Sequence, residues 1–264
     1  MSTVDWTGWR RQAGEPGAEG LRERKKRLTR QRLSDTATEM FLERGFDGVR
    51  VAEVAQACGV SEKTVYNYFP TKESLVLDLG ETTMTALRAD LAVPGRHPVD
   101  AVLGILSDEL HGMTSWIAAQ DDPAQAAAMI RRFRELTRST PSLRAYHHDM
   151  TDRLIGVAAE VLAQRTGLNP DDPEPQIAAT ALLGLWPIQF RSLGKHLKGD
   201  RTPERVHEAV TADVRRAAQL IETGLAAAFK TLGETPMLTP APHPDQEQGL
   251  HTGVRVDLGC FGAD

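Results

Sequence analysis

The fold is decided by residues 33–79, which read LSDTATEMFLERGFDGVRVAEVAQACGVSEKTVYNYFPTKESLVLDL. In the first part of this stretch, apolar residues recur at the three- and four-residue spacing of one helix face, at Leu33, Ala37, Met40 and Phe41. Gly45 follows, and glycine is the residue type at which helices commonly end. The pattern predicts a helix that packs this stripe against other elements.

Two short helices with a glycine-containing turn between them are predicted next. The first would direct four residues inward, namely Val51, Val54, Ala55 and Cys58. The chain then breaks at Gly59, and Ser61 can cap the second helix, whose inward residues are Val65 and Phe69. Two short helices joined in this way form a helix-turn-helix, which we place at about residues 50–69.

The outer face of the second short helix has a composition that suits DNA. With its apolar residues inward, it presents Lys63, Thr64, Tyr66, Asn67 and Tyr68. The major groove of DNA admits one α-helix; hydroxyl and ammonium groups bind phosphate oxygens, and a carboxamide can pair with adenine. Lys72, at the predicted start of the following helix, can join that helix's free N–H groups around a phosphate.

This stretch resembles the N-terminal DNA-binding domain of the TetR repressor family. The resemblance rests on Ala37, Phe41, Glu43, Gly45 and Phe46, on Val54, Ala55, Gly59, Val60 and Ser61, and on Thr64, Val65, Tyr66, Tyr68, Phe69, Lys72, Glu73 and Leu75. It implies an all-α homodimer. An N-terminal three-helix, homeodomain-like helix-turn-helix domain would bind DNA, and a larger C-terminal helical domain would bind a small molecule and dimerise.

The resemblance also implies roles for single residues. Phosphate contacts fall on Thr64, Tyr66, Tyr68 and Lys72, base-reading positions fall on Lys63 and Asn67, and Ser61 and Arg50 complete the predicted DNA-binding set. Many relatives have Thr or Ser where this chain has Arg50, whose side chain cannot accept a hydrogen bond from helix N–H groups. The exchange would cost about 1 kcal/mol of capping and add a positive charge near the DNA backbone.

A basic block precedes the first apolar stripe. Between Arg22 and Arg32, seven of eleven residues are Lys or Arg and one is Glu, although the whole chain carries a formal charge of -5. Such a run taken alone is commonly a solvated face. Directly before a DNA-binding domain, it predicts a salt-sensitive, sequence-independent contact with the flanking backbone or the minor groove.

The remaining sequence has a helical pattern nearly throughout, so we predict an all-α fold. Helices are predicted at 22–44, 51–58, 61–68, 72–92, 98–119, 123–138, 141–166, 174–198 and 203–232. The predicted domains are a flexible N-terminal tail (1–20), the DNA-binding domain (21–93), an effector-binding and dimerisation domain (94–232) and a flexible acidic C-terminal tail (233–264).

Several classes of protein are excluded. A 264-residue chain with 41% hydrophobic residues can bury a core, so it is not disordered throughout. It has no apolar run of about 20 residues and no signal-peptide pattern, so we expect a soluble, cytoplasmic protein without a membrane partner. Its two cysteines, Cys58 and Cys260, form no metal or redox motif. Phosphate-binding loops, GxSxG and HExxH are absent, so we predict no cofactor, no metal and no enzymatic site.

The larger domain offers weaker signals. Residues that could line a ligand cavity are His111, Met113, Trp116, Met129, Phe133, Tyr146, Trp186, Gln189 and Phe190, with plain core packing as the alternative for each. Pro187 should kink its helix and free a carbonyl, which would line a pocket or shape the dimer contact. Four arginines on one helix, Arg131, Arg132, Arg134 and Arg138, fit a solvated surface or a site for an anionic ligand.

These observations favour a ligand-responsive transcriptional regulator. The specific hypothesis is a repressor that binds a palindromic operator in double-stranded DNA as a homodimer and is released by a small-molecule effector. One alternative is an activator or a nucleoid-associated DNA binder without an effector. Another is a helical small-molecule carrier or enzyme with an appended helix-turn-helix-like module.

Overall fold

All regular structure in the described residues is helical, as the sequence predicted. The computed structural model describes residues 20–77, 80–198 and 201–224, so the predicted tails (1–19 of the first and all of 233–264) and the end of the last predicted helix lie outside the described residues. The α-helices are α1 (Leu21–Arg44), α2 (Val51–Ala57), α3 (Glu62–Tyr68), α4 (Gly80–Leu91), α5 (Pro98–Ala118), α6 (Pro123–Ser139), α7 (Pro141–Thr166), α8 (Pro173–Leu183), α9 (Leu185–His196) and α10 (Pro203–Thr223).

The first three helices and a short 3₁₀ helix, Glu73–Leu75, share one apolar core. The predicted stripe on α1 contributes Leu33, Ala37 and Phe41, which are at most 1% exposed. At Gly45 the chain turns with φ of +79°, and its N–H donates to the Phe41 carbonyl at 2.9 Å. Because L-residues rarely adopt this conformation, glycine ends the helix here.

Helices α4 to α10 form a second, larger core. In it, α5 packs against α4 and α10, α7 packs against α4 and α8, and α9 packs against α10. The Leu87 and Leu91 side chains of α4 are fully buried in this core. By its packing, α4 therefore belongs with the larger helical unit.

Helices α6 and α7 connect the two cores. Ile130 of α6 lies in the larger core, whereas Phe133 and Leu136, one and two turns later, pack against the smaller one. Leu143, at the start of α7, is fully buried in the smaller core. Side chains of α6 and α7 therefore contact both the larger helical unit and the helix-turn-helix unit.

A polar cluster joins α9 to α10. Asp213 Oδ2 accepts hydrogen bonds from Ser192 Oγ at 2.7 Å and from His196 Nε2 at 3.0 Å, and Asp213 Oδ1 accepts from Arg216 Nη2 at 2.5 Å. Arg201 donates to His196 Nδ1, so Nε2 is the ring nitrogen that carries the proton donated to Asp213. These hydrogen bonds lower the pKa of Asp213 to about 2, first through Ser192 and then through His196.

Two predicted helices are interrupted. The prediction of one helix over 72–92 is wrong, because the chain forms the 3₁₀ helix Glu73–Leu75 and resumes an α-helix only at Gly80. Ser74, Leu75 and Val76 are all buried, and a straight α-helix would turn one of three such consecutive residues away from the core. Thr71 and Ser74 also bond each other's backbone N–H groups, at 3.1 and 3.2 Å.

The predicted kink at Pro187 is also wrong in its position. The helix is interrupted at Gly184, and Pro187 is the third residue of α9, where a missing N–H breaks no intrahelical hydrogen bond. The pyrrolidine ring clashes with a helical carbonyl four residues earlier, and that carbonyl belongs to Leu183, the last residue of α8. The helix predicted over 174–198 is therefore interrupted one turn before the proline, next to that carbonyl.

Within the described ranges, no helix is long and apolar enough to cross a bilayer. The same residues contain no group of three or more His, Cys, Asp or Glu side chains that could hold a metal ion.

Candidate nucleic-acid interface

The second helix of the helix-turn-helix, α3, is anchored by its cap and by its apolar residues. Ser61 is the N-cap, as predicted, and its Oγ accepts the Thr64 N–H at 3.1 Å. Val65 and Phe69 are at most 1% exposed. Gly59, with φ of +63°, makes the turn from α2. The outer face of α3 is thereby held in a fixed orientation.

Three of the predicted contact residues project freely from α3. Lys63, Tyr66 and Asn67 are exposed. The Tyr66 residue is 46% exposed to solvent, which is high for a large aromatic residue. Their side chains make no hydrogen bond within the described part of the chain. This arrangement leaves an ammonium, a phenol and a carboxamide available on one short helix.

The other two residues of that face are partly engaged. Thr64 is half-buried, and its hydroxyl lies 2.8 Å from Ser61 Oγ. Tyr68 is also half-buried, packs against the smaller core, and its carbonyl accepts from Arg30 Nη1 at 2.7 Å. Thr64 and Tyr68 are therefore less exposed than Lys63, Tyr66 and Asn67.

Lys72 is held by the protein itself. Its Nζ donates to the Phe46 carbonyl at 2.6 Å and lies 4.3 Å from the Phe46 ring centroid and 5.5 Å from that of Phe41. It precedes the three-residue 3₁₀ helix, so the α-helix N-terminus on which its predicted phosphate site depended is not formed. A phosphate contact of Lys72 stays a prediction, but the ammonium also has a role in packing.

Arg50 precedes α2 and its side chain is 85% exposed. It makes no capping hydrogen bond, because a guanidinium has no acceptor. Glu53 compensates, since its Oε2 accepts the Arg50 backbone N–H at 2.8 Å and its Oε1 accepts from Arg44 at 2.8 Å. The backbone hydrogen bond is the largest cause of the lowered pKa of Glu53, followed by Arg44.

The predicted basic block divides into two functional parts. Arg30 and Arg32 are structural, because they donate to the Tyr68 and Cys58 carbonyls at the ends of α3 and α2, at 2.7 and 2.9 Å. Residues 21–28, the first two turns of α1, are all exposed. A groove runs between these turns and Tyr68; its lining is Arg22, Glu23, Lys25, Lys26, Thr29 and Tyr68. The basic turns therefore adjoin the outer face of α3.

The larger unit contains a mainly apolar cavity of about 60 Å³. Its walls come from α5, α7, α9 and Leu77, two residues after the 3₁₀ helix. The lining residues are Leu77, Glu109, Leu110, Met113, His147, Met150, Thr151, Leu154, Trp186, Gln189, Phe190 and Leu193. Four of the nine predicted ligand residues line it, namely Met113, Trp186, Gln189 and Phe190. Leu77 extends the wall to the helix-turn-helix unit, because it also packs against the smaller core.

The other five predicted ligand residues do not line this cavity. His111 is exposed and lies edge-on to His207, with ring centroids 6.0 Å apart. Trp116 and Met129 pack in the larger core, and Phe133 packs against the smaller one. Tyr146 is half-buried, one residue before the cavity wall. Size and apolar surroundings alone did not distinguish core residues from cavity residues.

Three polar wall residues were missed, namely Glu109, His147 and Thr151. Glu109 accepts from Trp186 Nε1 at 3.0 Å and from Thr83 Oγ1 at 3.2 Å. His147 is exposed on α7, but desolvation, with a smaller effect of His148, lowers the pKa of its imidazole. A signal was present in the sequence, because His147, Met150, Thr151 and Leu154 follow the spacing of one helix face.

The four predicted arginines of α6 have different environments. Arg131 Nη1 donates to the Leu197 carbonyl at 2.7 Å, and Arg132 Nη2 donates to the Leu42 carbonyl at 2.8 Å. Arg138 pairs with Glu135 on the surface. Burial lowers the pKa of Arg134. Its guanidinium packs directly against Gly194, where the side chain of any larger residue would collide with it. None of the four lines the cavity.

Two family models match the chain. The model described as bacterial regulatory proteins, tetR family, matches residues 33–79, and the model described as MftR C-terminal domain matches residues 113–226. The first match covers the helix-turn-helix, and the second covers most of the larger helical unit.

Three named proteins are similar to this chain. The HTH-type transcriptional regulator TcmR of Streptomyces glaucescens is 31% identical over 161 residues, which are 60% of this chain and 69% of TcmR. The regulator MftR of Mycobacterium tuberculosis is 27% identical over 162 residues, 61% of this chain and 78% of MftR. The solved structure of Salmonella enterica GusR aligns with a TM-score of 0.44 and 20% identity, over 74% of this chain and 96% of GusR. TcmR and MftR are transcriptional regulators, not enzymes. The chain belongs to the TetR family of helix-turn-helix transcriptional regulators.

Proposed function

We propose that this regulator is a repressor that binds a palindromic operator as a homodimer in the cytoplasm and is released by a small-molecule effector. The observation that carries the proposal is the outer face of α3, where Lys63, Tyr66 and Asn67 are exposed next to the basic turns of α1. An exposed polar face on a capped, core-anchored helix suits insertion into the major groove.

In this proposal, side chains of α3 contact both bases and phosphates, whereas the basic turns of α1 contact phosphates alone. Asn67 and Lys63 read base edges, because a carboxamide pairs with adenine and an ammonium with guanine. Tyr66, Thr64 and the basic turns of α1 bind phosphates, which fixes the register of α3 without reading sequence.

The basic turns of α1 give a direct test of the phosphate contacts. Lys25→Ala is expected to weaken binding to all DNA sequences alike, because it removes one phosphate contact per chain. The slope of log affinity against log salt should fall by about 0.9 per contact, or about 1.8 per dimer. Titrations at several salt concentrations measure it. Arg153→Ala removes an equal charge from an exposed position on α7 and should leave the slope unchanged; equal slopes for both variants would contradict the contact.

We assign dimerisation to the last helices, α8 to α10, because the family resemblance implies a dimer formed there. Two exposed apolar side chains support this: Ile177 of α8 is 68% exposed and Leu220 of α10 is 39% exposed. The cluster around Asp213 holds α9 and α10 together, which would keep such an interface in one shape. Two-fold protein symmetry requires two-fold symmetry in the operator.

Release by an effector has a physical path in this fold. The cavity wall includes Leu77, which also contacts the smaller core, and α6 is bonded to both units through adjacent arginines. Arg131 holds the carbonyl that ends α9, and Arg132 holds the last turn of α1. A ligand that displaces α9 or Leu77 would therefore change the position of α3 and shift the population away from the DNA-competent state.

Selection of bound duplexes from a random DNA pool tests the proposal. The expected product is a palindrome whose half-sites lie about one helical turn, or about 10 base pairs, apart centre to centre. Sedimentation of the complex should give two chains per duplex. Enrichment of a single, unrepeated half-site with one chain bound would contradict the homodimer.

A further inference from the structure

We infer that the effector is a mainly apolar molecule without negative charge, whose amide, carbonyl or hydroxyl group bonds to the side chain of Gln189. The inference rests on the proposed function only in calling the ligand an effector. It follows from the state of Gln189, the size and nature of the cavity, and the charges around it.

Gln189 is a buried polar side chain that has no protein partner. It lies in the cavity wall on α9 and is 7% exposed, yet its carboxamide makes no hydrogen bond within the described part of the chain. A carboxamide can donate two hydrogen bonds and accept two. The amide atoms are not sealed from solvent, so a water molecule or a ligand inside the cavity can supply the hydrogen bonds that a buried carboxamide nearly always makes.

The other wall residues and the volume of the cavity determine the polarity and size of the ligand. Met113, Leu154, Phe190 and Leu193 present apolar surface around Gln189. The volume of about 60 Å³ has room for about four to six water molecules, since each needs about 10–15 Å³ of such volume. A bound benzene ring fills a cavity of about 150 Å³, so a ligand with one aromatic ring and a small polar substituent would have to push the wall apart.

The charges of the wall exclude an anion. Among the described residues, the cavity is lined by no Lys or Arg, and its one carboxylate is that of Glu109. Glu109 is fixed by the Trp186 indole N–H and the Thr83 hydroxyl. Desolvation, with a smaller effect of His148, lowers the pKa of His147, which disfavours the imidazolium form. A negative ligand would therefore face a carboxylate with no cation to balance it.

Benzamide and benzoate test the inference, because they have the same shape and differ in charge. Ring-proton NMR titration of the full chain without DNA should show benzamide binding at least about tenfold more tightly than benzoate. Gln189→Leu should weaken benzamide binding about 3- to 10-fold, as expected for one hydrogen bond. Gln164→Leu, at an exposed position on α7, is the matched control and should change nothing.

Gln189→Met, which is unbranched like glutamine, repeats the test should the leucine variant fail to fold. Equal or tighter binding of benzoate, full benzamide affinity in the folded Gln189 variants, or no binding of benzamide would each overturn the inference. Operator binding is measured separately. A chain that binds benzamide through Gln189 but no palindromic DNA would contradict the proposed function and leave the ligand class standing.

Discussion

Asn67→Ala is expected to abolish the base preference at one position of each half-site while leaving general DNA binding nearly intact. The Asn67 carboxamide is exposed on α3 and unbonded in the described structure, so its loss removes base recognition without disturbing the fold. One bidentate contact discriminates by about 1–3 kcal/mol, and a dimer has two, so the operator should lose about 2–6 kcal/mol of preference. Titration of the operator and of single-base variants at one stated salt concentration measures this loss.

Lys25→Ala is the comparison for Asn67→Ala, because it should weaken binding to every sequence alike. Lys72 is a poorer comparison, since its ammonium also donates to the Phe46 carbonyl and its removal disturbs the core. If Asn67→Ala lowers affinity equally for operator and scrambled DNA, the assignment of Asn67 to base recognition is wrong.

Asp213→Ala should lower the free energy of unfolding by about 2–4 kcal/mol, because it leaves two buried donors without an acceptor. These donors belong to Ser192 and His196, which are 6% and 8% exposed. Urea unfolding at pH 7 measures the change. Asp152→Ala, at an exposed position on α7, is the matched control and should stay within about 0.5 kcal/mol. A loss no larger than that of the control would show that the cluster does not hold α9 to α10.

The same residue predicts a pH dependence. The folded protein lowers the pKa of Asp213 from 3.8 to about 2, so it favours the carboxylate. The resulting stabilisation is fully present above the unfolded value and is lost as pH falls from about 3.8 towards 2. The stability difference between wild type and Asp213→Ala should therefore shrink over this acid range; a difference that persists unchanged at pH 2 would contradict the prediction.

The helix-turn-helix was predictable because its determinants are local. The stripe on α1, the Ser61 cap and the inward Val65 and Phe69 are all set by spacing within a few residues. Lys72 was different, because its partner is the Phe46 carbonyl, 26 residues away. A contact across that separation leaves no periodic pattern in the sequence.

The cavity was predictable only in part for the same reason. Trp186, Gln189 and Phe190 lie within five residues on α9, so one helix brings them together. Glu109 joins them through the Trp186 indole, 77 residues away, and that pairing depends on how α5 packs beside α9. The break in this helix was predicted at Pro187 but lies at Gly184, because a proline ring clashes with the carbonyl four residues before it.

If α3 reads a specific operator, the chain must bind that operator more tightly than unrelated DNA of the same composition. The purified chain is titrated with its best selected duplex and with a scrambled duplex of the same composition, at one stated salt concentration. We expect a preference of about a thousandfold or more for the selected duplex. A ratio near one would contradict it, because binding would then rest on the basic turns of α1 alone.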